Sequence, residues 1–510
     1  MSIAQQDQLL GHPKGLYICF ATEMWERFSF YGMKYLLLLY LTKYHLFTDA
    51  MGLDVLGSYA ALVYSTPVIG GLLADRYLGM RKAVIFGGCL LTLGHLGMAF
   101  EGEPAHHQYS EVIRDEGSLQ IFYFSISLII VGVGFLKPNV SAIVGALYST
   151  DDPRRDSGFT IFYMGINIGA FIATLLCGYL GETWGWRYGF GAAGIGMSIG
   201  LCVFLYGQRY LHGLAEPRHP QRLKEYILPG VNRELAIYLG SICSLVGFWQ
   251  LVQAPHIVEL SLNGLALFIA IGLLWFILSR CNSVERGRMS VLMILTFSTV
   301  VFWALFEQTA ASMTLYADRV VDRNIFEMDI KASQFGALNP LFIMLLAPVF
   351  AVLWTTLSKY RIEPTTPVKF SLGIIQAGLG FGMLVVGANY PDESGKVAVI
   401  WLVLAYLLHT SGELCLSPVG LSAVTKLSVP RIVGLMMGTW FLATAYSEFV
   451  AVQIAKLAAI DVTTGQLIDT TTALAGYTDL FGKLFFIGCS AGMLLLILSP
   501  YLKKHMHGIH

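Results

Sequence analysis

Charged side chains are scarce in this sequence. Lys, Arg, Asp and Glu make up 13% of the chain, whereas a soluble domain carries about a quarter. The formal net charge is zero, so charge gives no reason to expect nucleic acid or an acidic substrate as a partner. By contrast, 55% of the residues are hydrophobic. These proportions argue against an ordinary soluble protein and indicate a chain that lies largely in a lipid bilayer.

Signals for metal chemistry, catalysis and secretion are also missing. The eight cysteines are scattered without C-x-x-C spacing, which is typical of small core residues rather than metal ligands. The zinc motif H-E-x-x-H is absent, and neither a serine-based nor an aspartate-based catalytic motif stands out. Residues 1–14 lack the basic and then apolar pattern of a secretory signal. We therefore expect no enzymatic activity, no metal and no cofactor.

Apolar stretches of about 20 residues, long enough to cross a bilayer, recur along the whole chain. The pattern predicts an all-α polytopic membrane protein with fourteen transmembrane helices. Their centres lie near Phe28, Tyr64, Leu91, Val131, Ile168, Gly196, Leu245, Leu267, Val301, Leu345, Gly378, Leu404, Phe441 and Ser490. An even number puts both termini on one side, and the basic residues of the loops on that side predict that it is the cytoplasm.

The chain divides into three predicted parts. Residues 1–211 form a six-helix bundle, residues 212–283 a cytoplasmic linker with two additional helices, and residues 284–510 a second six-helix bundle. Faint self-similarity supports the two bundles: residues 135–138 (FLKP) resemble residues 415–418 (CLSP), and residues 66–68 (TPV) resemble residues 347–349 (APV).

The first predicted helix carries an unusual polar stripe. Glu23, Glu26, Arg27, Tyr31 and Lys34 share one helical face. A charged side chain at mid-bilayer costs about 2.5–3.5 kcal/mol, so these groups either line a water-filled cavity or pair with one another and with other helices. A buried ion-pair network that only fixes helix packing remains an open alternative.

Three further charges fall inside predicted helices: Lys137 before Pro138, Glu307, and Glu413. Ser417 and His409 lie one turn from Glu413 on either side. Together with the first helix, these groups suggest ion pairs that exchange as a site opens and closes, with a carboxylate as proton carrier. For His409 a core role and a functional one both remain possible.

Polar and aromatic residues elsewhere allow two interpretations. Asn167 and Asn339 are either substrate ligands or contacts between helices, and Tyr64 and Trp440 are either cavity walls or core aromatics. Asp75, Arg76 and Arg81 lie in the loop 71–82 after the second helix. This loop is predicted to be a gating and stability element.

Several of these motifs resemble known signatures. Residues 71–82 resemble the signature of the major facilitator superfamily. The patterns E-x-x-E-R-F-x-x-Y-G from Glu23 and F-Y-x-x-I-N-x-G from Phe162 resemble the two signatures of the proton-dependent oligopeptide transporter family. The likeness runs from Thr22 to the C-terminus, and the two extra helices match bacterial members. It implies the major facilitator fold, with two six-helix bundles plus two helices.

The resemblance also implies roles for individual residues. Lys34 and Lys137 face the carboxylate of a peptide, and Glu413 receives its amine with help from Asn167 and Asn339. Further peptide contacts come from Tyr31, Tyr64, Ser417 and Trp440. Proton coupling is implied for Glu23, Glu26, Arg27 and Glu307. Ion pairs Lys34–Glu307 and Lys137–Glu413 are expected to link the bundles. Phe30 and Lys34 depart from many members, which have Tyr and Arg there, so side-chain preference is open.

The sequence therefore predicts a proton-coupled symporter that imports di- and tripeptides by alternating access. We expect a multi-pass protein of the bacterial inner membrane, functional as a monomer, with protons as the coupling ion. Two alternatives stay open at this point: a proton-coupled transporter of another small solute (nitrate, a drug or a glucoside), and a peptide receptor that does not transport.

Overall fold

The structure is a computed structural model that describes residues 7–109, 111–149, 151–217, 219–325, 327–460 and 469–509. The first six residues, which are part of the segment considered for a secretory signal, lie outside this range. Most of the described chain is helical. The α-helices are α1 (Lys14–Lys43), α2 (Asp49–Leu73), α3 (Met80–Gly97), α4 (Glu116–Ala146), α5 (Arg155–Trp184), α6 (Trp186–Gly207), α7 (Pro220–Lys224), α8 (Arg233–Val252), α9 (Pro255–Arg280), α10 (Ser283–Phe306), α11 (Ser312–Arg319), α12 (Leu338–Lys359), α13 (Thr366–Gly387), α14 (Val399–Leu427), α15 (Val433–Ala455) and α16 (Thr470–His505).

Short helical turns extend or join several of these helices. A π-helical turn, Ala74–Leu78, follows α2, and 3₁₀ turns occur at Gln208–Leu211, Glu307–Ala310, Ala332–Ala337, Pro430–Ile432 and Lys456–Ala458. The remaining regular structure consists of two- and three-residue strands in the loops.

Four antiparallel pairs and one parallel pair account for the strands of the described chain. The antiparallel pairs are β1 (Gln8–Leu9) with β2 (His12–Pro13), β3 (His106–Gln108) with β4 (Glu111–Ile113), β5 (Tyr226–Leu228) with β6 (Val231–Asn232), and β8 (Asn324–Ile325) with β9 (Met328–Asp329). The parallel pair is β7 (Val321–Asp322) with β10 (Val397–Ala398).

The fourteen predicted stretches are confirmed as helices, since each predicted centre lies in a different long helix. Twelve helices of the described chain are long and apolar enough to cross a membrane. The other two are α1, which carries the charged stripe, and α3, which has 18 residues and begins with Met80, Arg81 and Lys82. Composition alone marks these two less clearly because their charged residues lower the mean hydropathy of the helix.

Loop residues set where some helices begin. Asp115 caps α4: its carboxylate accepts hydrogen bonds from the backbone N–H of Ser118 at 3.2 Å and from its hydroxyl at 2.6 Å. These bonds stabilise the charged carboxylate and hold the pKa of Asp115 below its usual value. The helix therefore starts directly after the loop that carries β3 and β4.

The chain forms two compact units. The first unit comprises residues 1–46 and 62–255, and the second comprises residues 47–61 and 256–510. The start of α2 thus belongs to the second unit. The two units group residues that contact one another. The predicted three-part division instead separates two bundles of similar sequence from the linker between them, and it stays a prediction.

Two ion pairs bind the start of α2 within the second unit. The guanidinium of Arg319 donates to both carboxylate oxygens of Asp49, at 2.6 and 2.5 Å, and to the hydroxyl of Tyr477 at 3.1 Å. Lys456 donates to Asp54 at 2.5 Å. Asp49 is 2% exposed, so the Arg319 contact satisfies a buried charge.

Candidate functional site

The polar stripe of α1 begins with a buried triad. Arg27 Nη2 donates to Glu26 Oε1 at 2.6 Å, its Nε donates to the other oxygen of Glu26, and the same Nε lies 3.3 Å from Glu23 Oε1. The three residues are at most 4% exposed. The guanidinium also lies 5.0 Å from the centre of the Phe30 ring. The predicted clustering on one helical face is present, with one cation shared by two carboxylates.

Glycines of α5 bring that helix against the stripe. A Cβ at Gly169 would lie 2.1 Å from the carbonyl oxygen of Met24, so only glycine permits this approach. One helical turn earlier, Gly165 packs on Phe20 in the same way. The close contact of α1 and α5 fixes the rotation of α1 and thereby the position of its charged side chains.

Two lysines gather around one aromatic ring. Lys137 Nζ lies 4.4 Å from the centre of the Tyr64 ring, and Lys34 Nζ lies 6.0 Å from the same centre. Within the part of the chain that the structure describes, Lys137 makes no ion pair. An ammonium that contacts an aromatic face and no carboxylate remains available to a ligand that carries negative charge.

Proline and glycine position Lys137 next to α2. Pro138 lies inside α4 and cannot donate to the carbonyl of Gly134. Gly70 of α2 packs directly on that carbonyl, because a Cβ at Gly70 would lie 2.1 Å from its oxygen. Thr66 donates to the carbonyl of Ile130 at 2.9 Å. Together these contacts hold α2 and α4 close enough for Tyr64 to meet Lys137.

The remaining predicted ligands of the first unit differ in exposure. Tyr31 is half-buried, and its ring meets that of Phe30 edge to face at 5.3 Å. Asn167 is 5% exposed, and its Nδ2 donates to the carbonyl of Tyr163 at 3.0 Å within α5. This bond is local to one helix and leaves both interpretations of Asn167 open.

A second polar cluster lies in the second unit around Glu413. Asn339 Nδ2 donates to Glu413 Oε2 at 2.9 Å and lies 3.1 Å from the hydroxyl oxygen of Thr410. Glu413 is 8% exposed, and no Lys, Arg or His nitrogen in the described ranges approaches its carboxylate within 4.0 Å. The carboxylate therefore has an amide donor and no cation as its partner.

Helix packing brings Glu413 into this position. The backbones of α13 and α14 touch at Gly373 and Gly412, where a Cβ on Gly412 would lie 2.6 Å from the carbonyl oxygen of Gly373. Ser417, one turn beyond Glu413 on α14, is half-buried. Thr410 belongs to the cluster although sequence reasoning did not select it; its position three residues before Glu413 was the available signal.

Glu307 lies where a long helix changes its winding. α10 ends at Phe306, and the 3₁₀ turn Glu307–Ala310 follows. Gln308, the residue after Glu307, stabilises this turn through its side chain. Its Nε2 donates to the carbonyl of Ala451 at 2.8 Å, and its Oε1 accepts a hydrogen bond from the hydroxyl of Ser312 at 2.6 Å. Glu307 itself is half-buried.

Trp440 and His409 belong to the packed interior of the second unit. Trp440 is 7% exposed, its ring lies 6.4 Å from that of Phe370, and Gly420 leaves space for it. His409 is fully buried, and its Nε2 lies 3.0 Å from the carbonyl oxygen of Ala377. These contacts support a core role for His409.

The predicted gating residues lie around the π-helical turn after α2. Arg81 forms an ion pair with Glu216: its Nε donates to one carboxylate oxygen, and its Nη2 donates to the other at 3.2 Å. Arg81 Nη1 also donates to Gln208 Oε1 at 2.9 Å. Asp75 and Arg76 are exposed, and Asp75 makes no ion pair with any residue that the structure describes. A gating role for all three stays a prediction.

Buried charges inside long apolar helices define the class of this molecule: it is a multi-pass α-helical membrane protein. The model of the POT family matches residues 81–470. The chain is 38% identical to "Uncharacterized transporter YclF" of Bacillus subtilis, covering 99% of this chain and 97% of that protein. It is 34% identical to a "Di-/tripeptide transporter" of Lactococcus lactis subsp. cremoris, covering 97% of each chain.

Solved structures agree with this match. The crystal structure of peptide transporter POT in complex with sulfate superposes with a TM-score of 0.82 at 35% identity, over 99% of this chain and 98% of that one. The chain belongs to the POT family. It is therefore a membrane transporter with the fold of this family, and it is not an enzyme.

The comparisons leave the roles of single residues as predictions. The structure brings together the triad Glu23, Glu26 and Arg27. It also places two lysines, Lys34 and Lys137, near the ring of Tyr64. Glu413 and Asn339 are joined by a hydrogen bond. The members of the predicted pairs Lys34–Glu307 and Lys137–Glu413 belong to different units, and both pairs stay predictions.

Proposed function

We propose that this protein is a proton-coupled symporter that imports di- and tripeptides by alternating access. Relatives that match nearly the whole chain are named di-/tripeptide transporters, and a solved POT family transporter with a TM-score of 0.79 holds a thioalcohol conjugated peptide. The substrate class is thus a small zwitterion whose side chains vary while its two charged ends remain constant.

One observation carries the proposal. Lys137 and Glu413 are opposite charges inside membrane helices, and in the described chain neither has an oppositely charged side chain within 4.0 Å, although Glu26 and Glu23 attract Lys137 from further away. A charge in this position costs free energy unless a ligand or a proton compensates it. A peptide supplies a carboxylate for Lys137 and an ammonium group for Glu413.

Neighbouring residues complete the two recognition groups. Lys34 supports Lys137 at the carboxylate end, and Tyr31, Tyr64 and Trp440 provide aromatic walls. Asn167, Asn339 and Ser417 provide hydrogen-bonding groups, Asn339 already bonding to Glu413. Because the protein recognises chiefly the peptide's ends, it accepts varied side chains between them.

Proton coupling is assigned to Glu23, Glu26, Arg27 and Glu307. In the triad, protonation of Glu26 or Glu23 removes one negative charge from beside Arg27 and weakens a short ion pair. One elementary charge crossing the membrane is worth about 2.3 kcal/mol per 100 mV, so co-imported protons drive uptake of a nearly neutral peptide. No further cofactor is needed.

The same proposal includes the oligomeric state, the location and the orientation of the protein. The protein acts as a monomer in the bacterial inner membrane with both termini in the cytoplasm, where the basic loops lie. Asp75, Arg76 and Arg81 form a cytoplasmic gate, in which the Arg81–Glu216 pair forms and breaks during the cycle.

Uptake of labelled di-alanine into proteoliposomes tests this function. We expect accumulation with an inward proton gradient and none without it. Glu26→Gln and Glu307→Gln are expected to abolish gradient-driven accumulation while retaining exchange of internal for external peptide. Glu393→Gln, a substitution of an exposed residue in the loop between α13 and α14, serves as the control and should accumulate peptide normally. Accumulation that is independent of the gradient, or retained in both variants, would refute proton coupling.

A further inference from the structure

An open apolar groove runs along three helices of the second unit. α9 forms one wall with Ala266 and Ala270, α10 contributes Phe297, and α15 contributes Met436 and Ala443. We call this cavity, of about 260 Å³, the α9 groove. No proposed peptide-binding or proton-coupling residue lines it, so transport of peptide does not account for it.

Two hydrogen bonds join α9 to other segments of the second unit. Near one end, Tyr446 donates to Asn263 Oδ1 at 2.9 Å. At the other end, Arg431 Nη2 donates to the carbonyl of Arg280 at 2.6 Å. Between these points, Leu273 and Ile277 are buried, at 5% and 4% exposure, and the short side chains of Ala266 and Ala270 leave the groove open. The groove therefore lies where alanines of α9 face α10 and α15, next to a packed stretch that leads to Arg280.

Basic side chains surround one end of the groove. Arg280 ends α9, Arg286 lies in the first turn of α10, and Arg431 precedes α15; all three are exposed. Within the described ranges, Glu285 is the carboxylate that pairs with this group, at 3.2 Å from Arg431. Arg286 donates to the neutral carbonyls of Cys281 and Leu278. The end of the groove therefore carries excess positive charge.

The dimensions of the groove match one leaflet of a bilayer. Met436 and Tyr446 are ten residues apart on α15, about 15 Å along the helix, which is about half of a 30 Å hydrocarbon core. Arg431 lies five residues before Met436, about 7.5 Å further along. With acyl chains at the level of the groove, the arginines lie at the level of the lipid headgroups.

We propose that the α9 groove binds one anionic phospholipid, with an acyl chain between α9, α10 and α15 and the phosphate at Arg280 and Arg431. The apolar walls fit the chain, and guanidinium groups suit a phosphate because they donate paired hydrogen bonds. The additional helix α9 thereby acquires a role as the outer wall of a lipid site. This inference holds whichever solute the protein transports.

The first experiment tests whether the arginines bind the lipid phosphate. The purified full-length chain is titrated with lipid, and binding is followed by native mass spectrometry. Phosphatidylglycerol and phosphatidylcholine with identical acyl chains are compared. We expect the first phosphatidylglycerol to bind about 25-fold more tightly, since each of the two arginines at the phosphate contributes a factor of about five. Arg280→Gln should lower this preference about fivefold, and Arg280→Gln with Arg431→Gln should remove it.

Matched variants keep the test independent of folding. Arg280 makes no side-chain hydrogen bond to any described residue, so its substitution leaves the structure intact. Arg431→Lys retains the charge and should retain the preference, and Lys359→Gln removes a basic residue elsewhere in the unit and should change nothing. Equal binding of the two lipids by the unaltered protein, or an unchanged preference in the double variant, would overturn the proposal.

A second pair of variants tests the acyl-chain part. Ala270→Phe fills the groove and should weaken binding of both lipids at this site, whereas Leu267→Phe, on the exposed face of the same helix, should not. Equal effects of the two substitutions would overturn the proposal. So would a dimer of the chain that Ala270→Phe dissociates, because the groove would then bind a second copy instead of lipid.

Discussion

The polar clusters around Glu26 and Glu413, one in each unit, hold their buried carboxylates in opposite ways. In the first unit, Glu23 and Glu26 share the guanidinium of Arg27 within a single helix. In the second unit, Glu413 has an amide and no cation beside it. The first arrangement compensates its charges within the protein, and the second leaves compensation to a ligand or a proton. We therefore expect the partners of a buried acid, rather than its burial alone, to indicate its role.

The largest expected effect is on stability, and it comes from removing the guanidinium of Arg27 that Glu23 and Glu26 share. Arg27→Met leaves two buried carboxylates without the guanidinium that both of them contact, and breaking such a buried pair costs about 3–5 kcal/mol. We expect a large fall in the thermal unfolding midpoint in detergent. Arg27→Lys keeps the charge and should lose much less. An unfolding midpoint that Arg27→Met leaves unchanged would show that the triad does not compensate its own charge.

Glu413→Gln should affect binding rather than folding. The substitution keeps an acceptor for Asn339 and removes the negative charge that the peptide ammonium requires. A hydrogen bond to a charged group contributes about 1.5–3 kcal/mol, so affinity for di-alanine should fall about 10- to 100-fold, measured by isothermal titration calorimetry. Unaltered affinity, or a loss of stability as large as that of Arg27→Met, would erase the contrast between the two units.

Lys137→Gln should weaken peptide binding less than Glu413→Gln does. Lys34 lies near the same Tyr64 ring and retains a positive charge close to the peptide carboxylate. We expect an affinity loss of about tenfold, corresponding to roughly 1.4 kcal/mol, in the same calorimetric measurement. Lys359→Gln is the matched control. A loss greater than that of Glu413→Gln would reverse the predicted order.

The smallest effect is expected at the start of α2. Asp54 and Lys456 are 29% and 26% exposed at their side chains, and partly hydrated pairs contribute about 0.2–1 kcal/mol. Asp54→Asn should therefore lower the unfolding midpoint only slightly and leave peptide affinity unchanged. A destabilisation close to that of Arg27→Met would mean that hydration does not weaken this pair.

Long apolar stretches made the helices predictable, including α1 and α3 with their internal or terminal charges. The i, i+3 and i+4 spacing of Glu23, Glu26 and Arg27 likewise predicted that they share a face. The geometry of one helix alone determines such local patterns, so they can be predicted from the sequence.

Contacts between distant segments were not predictable in this way. The Arg319–Asp49 pair joins residues 270 positions apart, and the contact of Gly70 with the carbonyl of Gly134 depends on the crossing of α2 and α4. Thr410 was missed because a threonine inside an apolar helix is usually bonded to its own backbone. The α9 groove likewise arises from the spacing of three helices rather than from any one of them.

The most direct test of the account measures binding of three related ligands: di-alanine, its N-acetyl derivative and its C-terminal amide. The unaltered protein should bind both modified peptides more weakly than di-alanine. Glu413→Gln should remove the difference between di-alanine and the N-acetyl form, and Lys137→Gln should reduce the difference between di-alanine and the amide. If the unaltered protein binds all three equally, the two buried charges do not recognise the ends of a peptide, and the central claim is wrong.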